Sequence, residues 1–409
     1  MPKFLTLDDV EVKGKTVLVR VDFNSPVDPE TKKLLDDTRI KAHGETTLKD
    51  LSEKGAKVVV LAHQGRPGDP DFIPLEQHAK RLGEILGKPV KYVDDLYGDE
   101  AKKAIRELEN GEIIVLKNTR TYPEERKSKT PEEHAESEFI KELAPLADLF
   151  VNDAFSAAHR SHASVVGFTA VLPSVAGRIM ERELKALARV LESPEKPCVF
   201  ILGGAKADDS LKISQYVLKN EIADYILTGG ITGHLFLVAT GVDLGKPNME
   251  LLEKQGVLEL VPGIKDLMKE HPGKIKVPVD VAVEVEGKRK ELSVKELPTE
   301  YPIFDIGTET IKEYSQIIKK AKSIVISGPP GVYEREEFLK GTKEILEAVA
   351  ESKAFSLVGG GHTVAAVQEL GLSDKMSYIS TAGGALIEFL MGSKLPAVVA
   401  LEEAAKKKV

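Results

Sequence analysis

The 409-residue sequence contains a single cysteine, Cys198, and so forms neither an internal disulfide framework nor a thiolate metal cluster. Cys198 lies in the apolar run PCVFILGG, which reads as a strand, so a buried and inert thiol is expected there. No apolar stretch approaches the ~18 residues of a membrane span, and the opening MPKFLTLDDVEVKGK has no apolar signal core. A cytoplasmic protein without a membrane partner is the expectation. Basic runs are also missing. The net charge is −8, and the one lysine cluster, Lys406 to Lys408, reads as a solvated helix end, so no nucleic-acid partner is expected. Asn, Gln and Cys are few beside many Lys and Glu, a balance that suits a heat-stable protein. There is no low-complexity segment and no short repeat.

Two common nucleotide signatures are absent as well. No G-x-x-x-x-G-K-[ST] occurs, because GEILGKP and GVDLGKP miss both the glycine spacing and the final hydroxyl. No strand-linked G-x-G-x-x-G with a trailing acid occurs either, which argues against a P-loop and against a dinucleotide fingerprint.

What is present is an ordinary globular composition, 42% hydrophobic and 30% charged. Single cores stop growing beyond roughly 250 to 300 residues, so the length predicts two domains. Short β-branched runs alternate with helical stretches: TVLVRVD, KVVVLAH, VKYV, EIIVLK and ADLFVND, then CVFILGG, DYILTGG, SIVISG, FSLVGG and MSYIS. Residues 39–54, 75–86, 131–146 and 334–352 carry apolar side chains at helical spacing. The pattern is that of parallel βαβ units, and the predicted fold is α/β, two doubly wound parallel-sheet (Rossmann-like) domains joined by a long hinge helix. That helix is placed in the amphipathic stretch Pro173 to Ser193. The expected division is 1–175 with 391–409, hinge 176–193, and 194–390.

Ligands of open parallel sheets bind beyond the carboxyl ends of the strands, and the two halves deliver different chemistry there. The first half brings Arg20, Asp22, Asn24, His63, Arg66, Arg120, Asn152, Asp153, His159 and Arg160. Of 13 arginines, 11 precede residue 190, and Arg20, Arg66, Arg120 and Arg160 fall at or just beyond strand ends. Guanidinium groups match carboxylate and phosphate oxygens with paired donors, so a small polyanion is the expected guest. His159-x-x-His162, beside Arg160, reads as anion-binding or structural rather than as a metal pair. The second half brings glycines instead: Gly203-Gly204-Ala205-Lys206, Gly229-Gly230, Gly328 to Gly331, Gly359-Gly360-Gly361-His362 and Thr381 to Gly384. Glycine lets backbone N–H groups approach phosphate oxygens, and a following helix N-terminus favours their charge.

At these residues the chain resembles phosphoglycerate kinase, in the family's order over essentially its whole length. The blocks are VRVDFNSP (19–26), DDTRIKA (36–42), AHQGRP (62–67), NDAFSAAHRSHAS (152–164), LGGAK (202–206), SGPPGVYE (327–334), VGGGHT (358–363) and STAGG (380–384). The resemblance implies reversible phosphoryl transfer between ATP with 3-phosphoglycerate and ADP with 1,3-bisphosphoglycerate, the nucleotide carried with Mg²⁺, in a monomer or homodimer. It implies that Asp22, Phe23, Asn24, Arg39, His63, Gln64, Gly65, Arg66, Arg120 and Arg160 hold 3-phosphoglycerate. Gly204, Lys206, Gly229, Gly230, Glu334, Gly359, Gly360, Gly361, His362 and Thr363 would hold the nucleotide, with Glu334 on the ribose. Arg39, Lys206, Gly360 and Gly383 would carry the catalysis.

The chain also departs from the family. Ser210 stands where a second lysine is usual, with Lys212 two positions on, and His362 stands where GGGDT has aspartate, which leaves the protein ligand of Mg²⁺ unassigned. Ser327 replaces an asparagine, and Ser25 and Pro330 replace valines. These departures read as a divergent, archaeal-like branch rather than as loss of activity. Two other readings compete: another α/β enzyme such as a dehydrogenase, disfavoured by the missing dinucleotide fingerprint, and a two-lobed anion-binding protein, which has no use for glycine loops or Lys206.

Overall fold

The structure is a computed structural model that describes residues 3–407. The chain divides into two compact units, Met1–Leu184 with Lys394–Val409, and Lys185–Ser393. The boundary at 184/185 falls midway along the expected hinge 176–193, inside a helix, Arg178–Leu191, and that at 393/394 lies close to the expected 390/391.

In the first unit β1 (Thr16–Arg20), β2 (Lys57–Leu61), β3 (Val90–Tyr92), β4 (Ile113–Val115), β5 (Leu149–Asn152) and β6 (Ser174–Ala176) form a parallel sheet in the order β3-β4-β2-β1-β5-β6. Successive side chains of a strand point to opposite faces, and here both faces are covered. Val17, Val19, Val58 and Val60 join one apolar cluster. Leu18, Val59 and Leu61 join another on the opposite face. That is why these strands are near-continuous apolar runs rather than alternating ones. The chain leaves β1 toward β2 on one side and returns to β5 on the other, so the order reverses at β1.

The second unit repeats the plan. β7 (Cys198–Leu202), β8 (Tyr225–Thr228), β9 (Ile275–Lys276), β13 (Ser323–Ser327), β14 (Phe355–Gly359) and β15 (Tyr378–Ile379) are parallel in the order β15-β14-β13-β7-β8-β9, which reverses at β7. Cys198 is buried as expected, and burial pushes its thiol up to about 12.

The α/β class of the two units agrees with the sequence pattern, and three local elements differ. The stretch from Pro173 is not one helix: Ser174–Ala176 pairs with β5, and the helix starts only at Arg178. A short apolar segment is ambiguous between helix and strand by periodicity, and the neighbouring strand decides it. The segment 39–54 is helical as expected, without interruption over 38–53 and with one wider π turn at Gly44–Leu48, whereas 131–146 is broken into Pro131–Ala135, Glu138–Leu143 and a short turn at Ala144–Leu146. An antiparallel sheet in the order β11-β10-β12, built from β10 (Asp280–Val285), β11 (Lys288–Ser293) and β12 (Ile303–Ile306), was not anticipated. Its hairpin turns at Glu286 and Gly287, both at positive φ (50° and 75°), as a two-residue turn requires. Lys406 ends the last helix in an ion pair with Glu403, and Lys408 lies outside the described residues.

Candidate active site

In the first unit the carboxyl ends of β1, β2 and β5 and the loop after β4 converge. Asp22, 5% exposed, organises the start of the site. Its Oδ2 accepts from Arg39 Nη1 at 2.7 Å and from Ser156 Oγ at 2.5 Å, and its Oδ1 accepts from the Asn24 N–H at 3.0 Å. Asn24 Oδ1 in turn accepts from the Gly65 N–H at 2.8 Å. Gln64 is fully buried and braces the loop through the N–H and carbonyl of Ser25. Phe23 is a core residue packed against the rings of His43 and His78.

Arg120 sits on the turn after β4, where Asn118 accepts from its N–H at 3.1 Å. Its Nη1 donates to the Gly65 carbonyl at 2.6 Å, while its Nε is buried without a hydrogen-bond partner. Burial, then Arg20 and Arg160, lower its pKa to about 10. Arg66 is exposed and Arg160 half-buried, and neither has an ion pair among the described residues. Arg39, with 39% of its side chain exposed, keeps donors beyond its one bond to Asp22. Arg66, Arg120 and Arg160 are thus cations with no ion-pair partner among the described residues, beside the Arg39–Asp22 pair, and such cations are what an anion site needs. The same charges act on the histidines. Burial, then Arg20, Arg160 and Arg120, push His162 down to about 3, and burial with Arg20 and Arg120 holds His63 well below its ordinary value. Among the described residues no group of three or more His, Cys, Asp or Glu could hold a metal ion, so His159 and His162 are not part of such a set.

Arg20 departs from the expectation that it faces the ligand. It is 1% exposed, and its guanidinium donates to Ser164 Oγ (2.8 Å), the Val21 carbonyl (2.5 Å) and His63 Nδ1 (2.9 Å). Asn152 and Asp153 are likewise fully buried. Asn152 bonds the Val165 carbonyl and the Ala154 N–H, and Asp153 bonds His43 and the Ile179 N–H. Reasoning from sequence missed His43, Asn118, Glu125, Ser156 and Ser164. Asn118 could have been found, because a side-chain acceptor two residues before Arg120 suits a turn.

In the second unit a cavity of about 250 Å³ lies where the sheet order reverses, between the loops that follow β7 and β13. Gly203, Gly204, Lys206, Asp209, Ser210, Gly328, Pro329, Gly360, Gly361, His362, Thr363 and Gly383 line it, with Ile213 and Ile387 on its apolar side. Three helices begin here, the shortest at Gly384. Ala207–Lys219 is preceded by Lys206 and Gly361–Glu369 by Gly360, and in neither does the preceding side chain cap the free N–H groups. Uncapped N–H groups with the positive end of a helix dipole suit phosphate oxygens.

The glycines divide by task. Gly204, Gly328, Gly360 and Gly383 have φ of 73°, 91°, 84° and 55°, so turn geometry demands them. A Cβ on Gly328 would lie 2.2 Å from the Gly203 carbonyl oxygen. Gly361 has open space around it. Gly229 and Gly230 do not line the cavity. Their N–H groups donate to the Leu202 and Pro330 carbonyls at 3.1 and 2.7 Å, and they let the loops after β8 and β13 approach. Gly359, the last residue of β14, is buried against Leu386. Thr363 Oγ1 accepts from the Gly328 N–H at 2.7 Å, tying two phosphate-competent loops together. Glu334 lies outside the cavity lining, exposed, its Oε1 3.8 Å from His362 Nδ1. Ser210 is buried and accepts from Thr232 Oγ1 at 3.2 Å, whereas Lys212 is exposed and does not line the cavity. Asp209, missed from sequence, is the carboxylate in the lining, and burial followed by Asp208 raises its pKa.

The family model for phosphoglycerate kinase matches residues 7–393. A curated phosphoglycerate kinase of Methanothermobacter thermautotrophicus is 51% identical over 401 residues, covering 98% of this chain and 97% of that one. That of Methanococcus maripaludis is 51% identical over 413 residues, covering 99% of each. Among solved structures, the phosphoglycerate kinase of Pyrococcus horikoshii superposes with a TM-score of 0.88 at 42% identity, over 99% of this chain and 100% of that one. The enzyme of Coxiella burnetii gives 0.86 at 33%, over 98% and 100%. No helix among the described residues is long and apolar enough to cross a membrane.

Proposed function

Since the chain belongs to the phosphoglycerate kinase family and is a phosphotransferase, we propose that its first unit holds 3-phosphoglycerate and its second unit the ATP or ADP. The observation that carries the division is the meeting of Lys206 with two uncapped helix N-termini in one cavity at the sheet reversal. The uncancelled arginines of the first unit supply the complementary anion site.

In the first unit Arg39, steered by Asp22, orients the reacting carboxylate, and Arg66, Arg120 and Arg160 with His63 take the phosphate end. A carboxylate is already ionised at neutral pH, so the transfer needs no general base, and catalysis is a matter of positioning and charge stabilisation. In the second unit Lys206 and the N–H groups of Gly360 and Gly361 balance the charge on the transferring phosphoryl group. Gly383 turns the chain at positive φ to open the next helix beside them. Glu334, near His362, takes the ribose.

Mg²⁺ prefers phosphate oxygens and water with one or two carboxylates, and one carboxylate in the lining, Asp209, fits an ion delivered with the nucleotide. Such an ion supplies further charge neutralisation at the phosphates. The reading also gives the protein a place among soluble enzymes of the cytoplasm.

The test is a coupled assay with 3-phosphoglycerate, ATP and Mg²⁺ that follows 1,3-bisphosphoglycerate through downstream NADH oxidation. Turnover dependent on all three is expected. Binding of both substrates without turnover would mean that Ser210 and His362 have cost the chain its chemistry.

A further inference from the structure

A buried acid behind the anion site takes no part in the scheme above. Glu125 is 1% exposed. Its Oε1 accepts from both the N–H (3.0 Å) and the hydroxyl (2.7 Å) of Ser164, and its Oε2 is buried without a hydrogen-bond partner. Because the Ser164 hydroxyl gives its proton to Glu125, its lone pairs face the Arg20 Nε donor at 2.8 Å. Arg20 is held on a second side by the Val21 carbonyl and reaches His63 Nδ1 at 2.9 Å.

Direction follows from the donor inventory. A guanidinium only donates, so His63 Nδ1 must accept, and the ring proton sits on Nε2. Protonating both nitrogens would set donor against donor, in line with the lowered basicity of His63 under burial and Arg20. The Nε2–H has no acceptor among the described residues and is left for a ligand oxygen.

We infer that Glu125 is a positioning residue which, through Ser164 and Arg20, fixes the Nε2–H tautomer and orientation of His63 for the acid substrate. Without the carboxylate, Ser164 Oγ–H is free to turn its donor elsewhere, Arg20 loses the anchor of its Nε, and the ring of His63 loses its fixed partner. Glu125 when ionised also acts on the buried Arg20 more strongly than Asp22 does. The role rests on the reading that His63 belongs to the 3-phosphoglycerate site, whereas the tautomer does not.

The experiment pairs ¹⁵N NMR of the histidine rings in ligand-free protein with steady-state kinetics, for wild type, E125A, E125Q and S164A. Expected in the wild type is a His63 ring with Nδ1 unprotonated and Nε2 protonated. E125A and S164A should show mixed tautomers, with KM for 3-phosphoglycerate up roughly tenfold and KM for ATP within about twofold, since one hydrogen bond to an anionic oxygen is misaligned. E125Q keeps an acceptor oxygen for Ser164 and should restore most of both signals. A lowered melting temperature in folded E125A and S164A, with ring signals and both KM values unchanged, would reduce Glu125 to a structural role and overturn the inference. So would a wild-type ring protonated at Nδ1. If E125A does not fold, S164A decides by the same readouts. An inactive wild type would defeat the kinase reading alone, and the ring spectra would still decide the relay.

Discussion

The two units share a sheet plan and differ in what they place at the strand ends. The first builds its site from side chains: Arg39, Arg66, Arg120, Arg160 and His63, held by Asp22, Asn24 and Asn118. The second builds its site from backbone: helix N-termini behind Gly360 and Lys206, and glycines at positive φ. Guanidinium groups can match carboxylate and phosphate oxygens with paired donors, whereas backbone N–H groups suit any phosphate. Side-chain sites depend on buried relays that hold each group, and backbone sites depend on turns that only glycine can make.

Substitution of the two cations proposed to meet the reacting groups should break the contrast most visibly. Arg39→Ala should lower turnover by at least ~10²-fold, the scale for losing one donor to developing charge, with nucleotide affinity within about twofold. Lys206→Ala should lower turnover comparably while weakening the nucleotide and sparing 3-phosphoglycerate. Fluorescence titration of each ligand separates the cases, and equal losses of both ligands in either variant would merge the two sites.

Next in size is a stability effect confined to the backbone-built unit. Gly328→Ala places a methyl 2.2 Å from the Gly203 carbonyl at a φ of 91°, and should cost about 2–3 kcal/mol in urea unfolding. Gly361→Ala, in open space at ordinary φ, should stay within about 0.5 kcal/mol. Similar costs for the two would refute the division of the glycines into tasks.

Acid should separate the units in a gentler way. In the first, burial holds His78 down to about 4, His162 to about 3 and His63 well below 6.5, and it lowers His134 as well. An unfolded histidine takes its proton near 6.5, so below that pH the unfolded chain binds protons that the fold refuses, and stability falls. Glu125 offsets part of this. Burial pushes it up to about 7, so the fold keeps a proton that the unfolded carboxyl gives up above about 4.5. In the second unit one such histidine, His234 at about 4, is opposed by Asp305, which burial raises to about 6 against the pull of Arg289. Hydrogen exchange between about pH 6.5 and 4.5 should therefore show the first unit losing protection faster than the second. Parallel loss would mean that other groups dominate.

The smallest expected effect concerns Lys212. Exposed and outside the cavity, it should tolerate replacement by alanine with kcat and both KM values within about twofold. A large loss would give it the charge that Ser210 cannot supply.

Much of this was legible in the sequence, and the parts that were not share a cause. Parallel α/β layers follow from β-branched runs a few residues long, and the arginine-rich and glycine-rich halves follow from counting residues at the ends of those runs, all of it local information. Which way a strand-end residue turns is not local. Arg20 and Arg120 look alike in sequence, yet Arg20 is drawn inward by Ser164, 144 positions away, and Arg120 reaches Gly65, 55 positions away. Gly229 and Gly360 look alike too, but the N–H of Gly229 is taken by Leu202, whereas Gly360 precedes uncapped helical N–H groups. Glu125 reads as one more surface glutamate until the fold closes Ser164 over it. The sequence by itself determined the class of fold and the kind of chemistry each unit presents. Tertiary structure alone decided which donors remain free, because a hydrogen bond is spent wherever the folded chain first brings a partner within about 3 Å.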